Sequence, residues 1–198
     1  MQKKAAVFWQ SRNFLLLFLF LLSSCVAPSQ TEIPIQPQIN IPTAQIGHNK
    51  KIALVVEDAR VGDQVVGRTA MGTNIKLSND MLDNIKVEIS KGLQESGFQP
   101  LTGNETSSTK LVVRILGIQY NHLDSAHVVW KVHTVATAVI EVVATSKNNT
   151  YKKVYRTDNL YANAWPSTKS DIDHINITIG DSLTKLLTDK QLIEFLAR

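Results

Sequence analysis

The side chains able to do chemistry are few and widely spaced. One cysteine, Cys25, stands in 198 residues, so no intramolecular disulfide can form and its thiol is left for another use. His122, His127 and His133 lie near Asp124, and imidazoles beside a carboxylate are the donor types of a zinc site. Their intervals fit no tight ligand motif: on one face of a strand His127 and His133 would stand about 20 Å apart, so no metal is assigned. Glu57, Asp58, Arg60 and Asp63 offer acids and a cation, but nothing fixes a nucleophile or a paired acid beside them. Gly62, Gly67 and Gly72 recur at every fifth position without the Lys-Ser/Thr of a phosphate-cradling loop. No serine is matched with a histidine and an acid, so no catalytic residue is assigned.

Cys25 has the most informative surroundings. Lys3, Lys4 and Arg12 precede it with no acid, and Phe14 to Leu22 is almost wholly apolar, which is the layout of a secretory signal. That run is far short of the roughly 20 residues a spanning helix needs. Leu22-Ser23-Ser24-Cys25 follows at once and resembles the bacterial lipobox. The resemblance implies cleavage between Ser24 and Cys25, a diacylglycerol on the thiol and an acyl chain on the new amine, with no other cofactor. At roughly 0.8 kcal/mol per buried methylene, two or three chains make a durable anchor. Residue 26 is Val rather than Asp; in the enterobacterial sorting scheme this resembles, that implies the periplasmic leaflet of the outer membrane, with surface display as the alternative.

The formal charge of +4 belongs largely to the signal. Removing residues 1–24 takes away three basic groups and no acid, leaving 18 basic against 17 acidic side chains. A nearly neutral mature chain removes the reason to expect nucleic acid or anionic lipid as a partner. From Val26 to about Lys50 the chain holds Pro28, Pro34, Pro37 and Pro42 and no sustained helical period. It reads as a tether reaching several tens of ångströms at about 3 Å per residue. The alternation of Ile33, Ile35, Ile39 and Ile41 leaves open docking as an edge strand or along a partner's groove. The expected organisation is a signal over 1–24, a lipidated cysteine and tether over 25–50, and one domain over 51–198.

Within the domain, Lys51 to Glu57 reads as a strand buried on both faces, and the Gly-containing stretch after it as including a short hairpin. Ser78 is the expected cap of a helix presenting Leu82, Ile85, Ile89 and Leu93 on one face. Gly97 as C′ pairs Leu93 with Phe98 in a Schellman ending. Lys110 to Tyr120 follows as a strand with a bulge at Gly117. The longest strand, about Val128 to Thr145, turns Val128, Trp130, Val132, Thr134, Ala136, Ala138, Ile140, Val142 and Ala144 to the core, and Tyr151 to about Trp165 returns as its hairpin partner. A last long helix is expected to be capped by Ser170, with Ile172, Ile175, Ile179, Leu183 and Leu186 facing the sheet, followed by a short helix capped by Thr188. The fold class expected is α+β: a mostly antiparallel sheet of about four strands with a long hairpin, packed by two main helices.

All four tyrosines and two of the three tryptophans fall between Tyr120 and Trp165. Tyr and Trp are enriched at binding surfaces and are also favoured by strands. The candidate interaction residues are Tyr120, Lys131, His133, Tyr151, Lys153 and Tyr155.

The lipobox, the Pro-rich stretch, Asp58-Ala59-Arg60 with Gly67, the helix ending at Gly97, the strand from Leu111 to Tyr120, and the C-terminal Leu192-Ile193-Glu194-Phe195-Leu196 together resemble the YajG family of Gram-negative lipoproteins. The resemblance implies compartment and architecture, and no catalytic residues. The element order is also similar to LpoB-type activators of peptidoglycan synthases, an analogy of fold only. The function expected is a non-enzymatic subunit that is anchored to the outer membrane, faces the periplasm and binds an envelope protein. The alternatives are a module for peptidoglycan fragments or another small ligand, and a hydrolase with His133 or His174 brought beside Asp or Ser.

Overall fold

A computed structural model describes residues 30–198 apart from 63, 70, 104–105 and 124–131. In chain order the described residues form β1 (Gln30–Ile33), β2 (Lys51–Asp58), β3 (Val65–Arg68), β4 (Asn74–Leu77), α1 (Met81–Glu95), β5 (Gln99–Leu101), β6 (Thr109–Leu123), β7 (Val132–Ser146), β8 (Asn149–Asn163), α2 (Thr168–Leu187) and α3 (Lys190–Ala197).

Three strands of 15 residues, β6, β7 and β8, are joined antiparallel and form the broad part of the sheet. The expectation of a mostly antiparallel sheet of about four strands under two main helices is corrected here. The sheet has eight strands and is mixed: β2 runs parallel to β6 and to β5, β3 parallel to β6, and β1 parallel to β4, while β3 and β4 form an antiparallel hairpin. The short helix expected after the last long one is present as α3. The extra strands are three or four residues long, too short to show an alternation, and most of their partners are distant in sequence. Pro100 sits in β5 at the sheet edge, where a strand residue lacking an N–H is tolerated.

The helices lie on one face only. Leu111, Val113 and Ile115 of β6 and Ala136, Ala138, Ile140, Val142 and Ala144 of β7 are buried beneath Ile85, Ile89 and Leu93 of α1 and Ile175, Ile179, Leu183 and Leu186 of α2. The small alanines let helices lie close to the strands. β2 accordingly buries Ile52 and Leu54 but leaves Ala53 and Val55 partly exposed, so it is covered on one face rather than on both.

Helix ends show where local sequence decides geometry. Gly97, at φ +83°, follows α1; Phe98 N–H donates to Leu93 O at 2.9 Å and Gly97 N–H to Gln94 O at 2.9 Å, the Schellman pair expected from Leu93 and Phe98. Ser78 does not cap α1: its N–H is taken by Ile33 O at 2.9 Å, which keeps it in the sheet, and Asp80 stands at the N-cap. α2 is capped by Ser167, with Ser170 as the third residue of a capping box, three positions before the expected cap. α3 is capped by Asp189 rather than Thr188.

Residues 34–50 continue from β1 as a strap along the groove between α1 and α2. Ile33 and Ile35 are fully buried, and Ile39 and Ile41 pack on the core. Asn176 of α2 holds the strap with its side chain, accepting from Gln36 N–H at 2.7 Å and donating to Pro34 O at 3.3 Å. At the other end Ala44, Gly47 and Asn49 N–H groups donate to Glu95, Ser96 and Gly97 carbonyls at 2.7–2.9 Å, using up acceptors that a helix C-terminus leaves free. A Cβ on Gly180 would stand 2.3 Å from Gln38 O, so only glycine admits the strap at that level. The proline-rich segment is thus the lid of the core from Gln30 onward: β1 is the edge strand that its alternating isoleucines had left open, and the rest lies along a groove of this chain's own helices rather than a partner's.

Candidate functional site

The carboxylates grouped in the sequence part in the structure. Glu57 and Asp58 are successive strand residues and face opposite sides. Glu57 pairs with Arg114 at 3.0 Å, whereas Asp58 grips Arg60 through Nε at 2.8 Å and Nη2 at 2.7 Å. The Arg60 bonds, strongest among the causes, hold the Asp58 carboxyl below its ordinary range. Arg60 Nη1 is buried without a partner among the described residues. Asp63 lies outside the described residues.

The histidines also divide. His122 of β6 pairs in register with Thr134 of β7, and Leu123 with His133, so His122 faces the helices and His133 the opposite side. His127, Asp124 and Lys131 lie outside the described residues, as do Val128, Trp130, Ser24 and Cys25. Among the described residues no group of three or more His, Cys, Asp or Glu could hold a metal ion.

The sequence reading did not bring out two polar clusters that the fold assembles beneath the helices. In the first, Tyr120 of β6, 1% exposed, donates to Asp171 Oδ1 of α2 at 2.6 Å and lies 3.2 Å from His174 Nδ1. The His174 ring stacks on Tyr161 of β8 with centroids 3.7 Å apart and planes 7° apart, and its Nε2 is 3.5 Å from Asn163 Nδ2. Burial lowers the His174 pKa, against the raising effect of Asp171 and Asp173, so the ring is neutral at pH 7. A proton on Nδ1 satisfies the set: His174 donates to the Tyr120 oxygen and Nε2 accepts from Asn163. Burial, reinforced by Asp171, raises the Tyr120 pKa. With each proton committed, the cluster ties α2 to β6 and β8.

In the second, Tyr151, Lys153 and Tyr155 of β8 converge on Asp189, the α3 cap. Its Oδ2 accepts from Lys153 Nζ at 2.6 Å, Tyr155 OH at 2.8 Å and Tyr151 OH at 3.2 Å, while Oδ1 accepts from Gln191 N–H at 2.9 Å. Burial opposes ionisation, but the Lys153 and Tyr155 bonds and the two backbone donors outweigh it and hold the Asp189 pKa at about 2. Burial and the neighbouring Tyr151 and Asp189 raise the Tyr155 pKa. Four of the six candidate interaction residues (Tyr120, Tyr151, Lys153, Tyr155) therefore sit in intramolecular networks on the helix side. The useful signal was Thr188-Asp189, a polar pair just before the last apolar run, whose partner strand is some 36 residues away.

Two surfaces remain open. The sheet face without helices carries cross-strand rows read directly from the register: Val55, Val112, Val143 and Lys152; then Glu57, Arg114, Glu141 and Val154; and, nearer the far end, Asn121, Val135 and Leu160. Arg114 and Lys152 bond Glu141 at 3.2 and 2.7 Å, with Lys152 foremost in lowering its pKa. Val154 and Leu160 are 48% and 65% exposed. This face borders β8, whose only strand partner among the described residues is β7, so one edge of 15 residues is unpaired. The second surface is an open cleft of about 900 Å³ between the β3–β4 hairpin and β6, lined by Arg68, Asn74, Gln119, Asn121 and His122 among others. His122 Nδ1 is 3.2 Å from Thr134 Oγ1, and its buried Nε2 has no partner among the described residues.

This mixed sheet covered on one face has relatives among solved structures. The crystal structure of protein XCC0632 from Xanthomonas campestris superposes with a TM-score of 0.55 at 11% identity, covering 83% of this chain and 96% of that one. An uncharacterized protein gives 0.50 at 13% identity, covering 85% and 99%. A minor lipoprotein from Acinetobacter baumannii gives 0.43 at 11% identity, covering 70% and 90%. No curated protein matches the sequence. Residues 37–197 match the model of a family described as uncharacterized lipoprotein, and the chain belongs to that family. The match begins inside the strap and runs to the end of α3, so it spans every element of the fold described above except β1.

Proposed function

We propose that the protein is an outer-membrane lipoprotein, anchored through Cys25 with its domain in the periplasm, and that it serves as a non-enzymatic binding subunit of a cell-envelope assembly. The observation that carries this reading is β8, a 15-residue edge strand beside a sheet face on which Val154 and Leu160 stand exposed between ion pairs. Such an edge offers a row of backbone donors and acceptors to an added strand, and the flanking side chains give apolar anchors within a polar surround. The charges of Lys152, Arg156 and Asp158 keep the edge from pairing indiscriminately.

The test is crosslinking of the acylated protein in its native membrane, with a photoreactive residue at position 154 or 160 and, as control, at Val87, 61% exposed on α1. One envelope protein captured from 154 and 160 but not from 87 supports the reading. No protein captured from 154 or 160, or equal capture from all three, contradicts it.

A second reading is favoured by the cleft at His122. Its lining of His122 and the amides Asn74, Gln119 and Asn121 suits a polar ligand such as a peptidoglycan fragment. Titration with disaccharide-peptide fragments should then move the His122 ring resonances and leave His133 unmoved; resonances that stay fixed at millimolar ligand exclude it.

A further inference from the structure

The strand register decides which end of the domain lies nearest the lipid. Gln30 pairs with Asn74 and Ile33 with Leu77, so β1 runs with β4 away from the hairpin turn. The other arm of that hairpin meets β6 where Gly67 pairs with Tyr120, and β6 continues to Leu123, opposite His133. In the next strand Ala162 completes the row. The first residue of β1, the hairpin turn, the end of β6 and the end of β8 therefore share one end of the sheet. The turn at Lys147 and Asn148 lies at the other end, a distance on the order of 50 Å along strands of 15 residues.

Because the strap is part of the core, little tether remains. Four residues separate Cys25 from Gln30, and the five steps between the two reach at most about 18 Å when fully extended. A lipidated Cys25 keeps the β1 end at the membrane, and the far end cannot replace it. That same end exposes Met71 at 92%, Trp165 at 86% and Leu123 at 47%. Single exposed apolar side chains are ordinary on protein surfaces; these three stand at the end where the anchor attaches. Trp is favoured at membrane–water interfaces; Lys169 at the adjoining start of α2 is paired with Asp173 at 2.6 Å, so that pair adds no net charge to the surface.

We propose that the end bearing Met71, Leu123 and Trp165 rests in the interfacial layer of the leaflet that holds the Cys25 acyl chains, so that the long strands rise from the membrane and present the β8 edge beside it. The proposal rests on the lipidation reading above. The test uses the full chain, acylated and reconstituted into vesicles of phosphatidylethanolamine and phosphatidylglycerol. Met71→Cys or Asn148→Cys supplies a free thiol for an environment-sensitive dye, Cys25 being occupied by lipid. The expected result is a blue shift and loss of emission with brominated lipid for the dye at position 71, and neither for the dye at 148. Equal exposure of both positions to aqueous iodide overturns the proposal. So does shielding of position 71 without quenching by brominated lipid, which places a second copy or another protein there. Intact mass of the same samples reports the acyl chains independently: a non-acylated chain refutes the lipidation reading, whereas an acylated chain with a water-exposed position 71 refutes only the docking of this end.

Discussion

The two faces of the sheet are built from the same three long strands and solve different problems. On the helix side, alternate residues of β6 and β7 disappear under α1, α2 and the strap, and the polar groups buried there are tied into the Tyr120–Asp171–His174 and Asp189 clusters. On the other side the intervening residues are valines mixed with ion pairs that remain in contact with water. The helix side bears the free energy of folding, because buried area and satisfied buried polar groups are what stabilise a domain. The bare side contributes less to folding and is open to change by binding. The comparison also moves the proline-rich segment from tether to core.

The change expected to do most damage is Ile35→Ala. Ile35 is fully buried in the strap, and removing a buried Ile side chain to Ala costs about 2–5 kcal/mol; urea denaturation of the soluble form of the domain should show that loss. A change below about 0.5 kcal/mol, the range of ordinary surface substitutions, would return the segment to a tether. Next is Asp189→Ala, which removes an N-cap and strands the Lys153, Tyr151 and Tyr155 donors. About 1 kcal/mol for the cap and 1–2 kcal/mol for the unpaired donors give a loss of about 2–3 kcal/mol by the same measurement.

Acid sharpens the same contrast. The Asp189 side chain is 9% exposed and its pKa is held at about 2, below the usual 3.8. Its contribution is therefore present in full above pH 3.8 and fades as pH falls toward 2; the shift corresponds to about 2 kcal/mol. Unfolding free energies at pH 5 and pH 2 should fall steeply in the native protein and less steeply in Asp189→Ala. His174 acts in a higher window: its folded pKa lies below 6.5, so its contribution is present above pH 6.5 and declines below it as the unfolded chain takes up the proton. His174→Gln should flatten the thermal midpoint between pH 7 and pH 5. The smallest effect belongs to the bare face. Val154→Thr and Leu160→Ala should each alter stability by no more than about 0.5 kcal/mol, even where they abolish crosslinking to a partner.

Much of the helix side was legible because its signals are local. The period-two run through Ala136, Ile140 and Val142 identified the buried face of β7, Gly117 marked a bulge seen between Ile115 and Gly117, and Leu93, Gly97 and Phe98 specified a helix ending in full. Features that depend on distant partners were not legible. The parallel pairings of β2 with β5 and β6 join short or uniform apolar runs, so nothing in either run names the other. Ser167 and Ser170 are equally good caps by type, and only the structure shows them serving as the two halves of one box. Tyr151, Lys153 and Tyr155 were recognisable as a polar aromatic row, but their common target, Asp189, sits across the fold. The strap was half visible: its isoleucines alternate as a docked segment does, while its prolines suggest a spacer, and the deciding fact is a groove that exists only once α1 and α2 are in place.

The central claim, that residues 30–50 are built into the core and leave only a short link to Cys25, is tested most directly by amide hydrogen exchange. Ala44, Gly47 and Asn49 donate to carbonyls at the end of α1, so their amides should exchange with protection comparable to that of Ile89 and Leu93 within that helix. Exchange of all three at the rate of an unstructured peptide, with α1 still protected, would contradict the account.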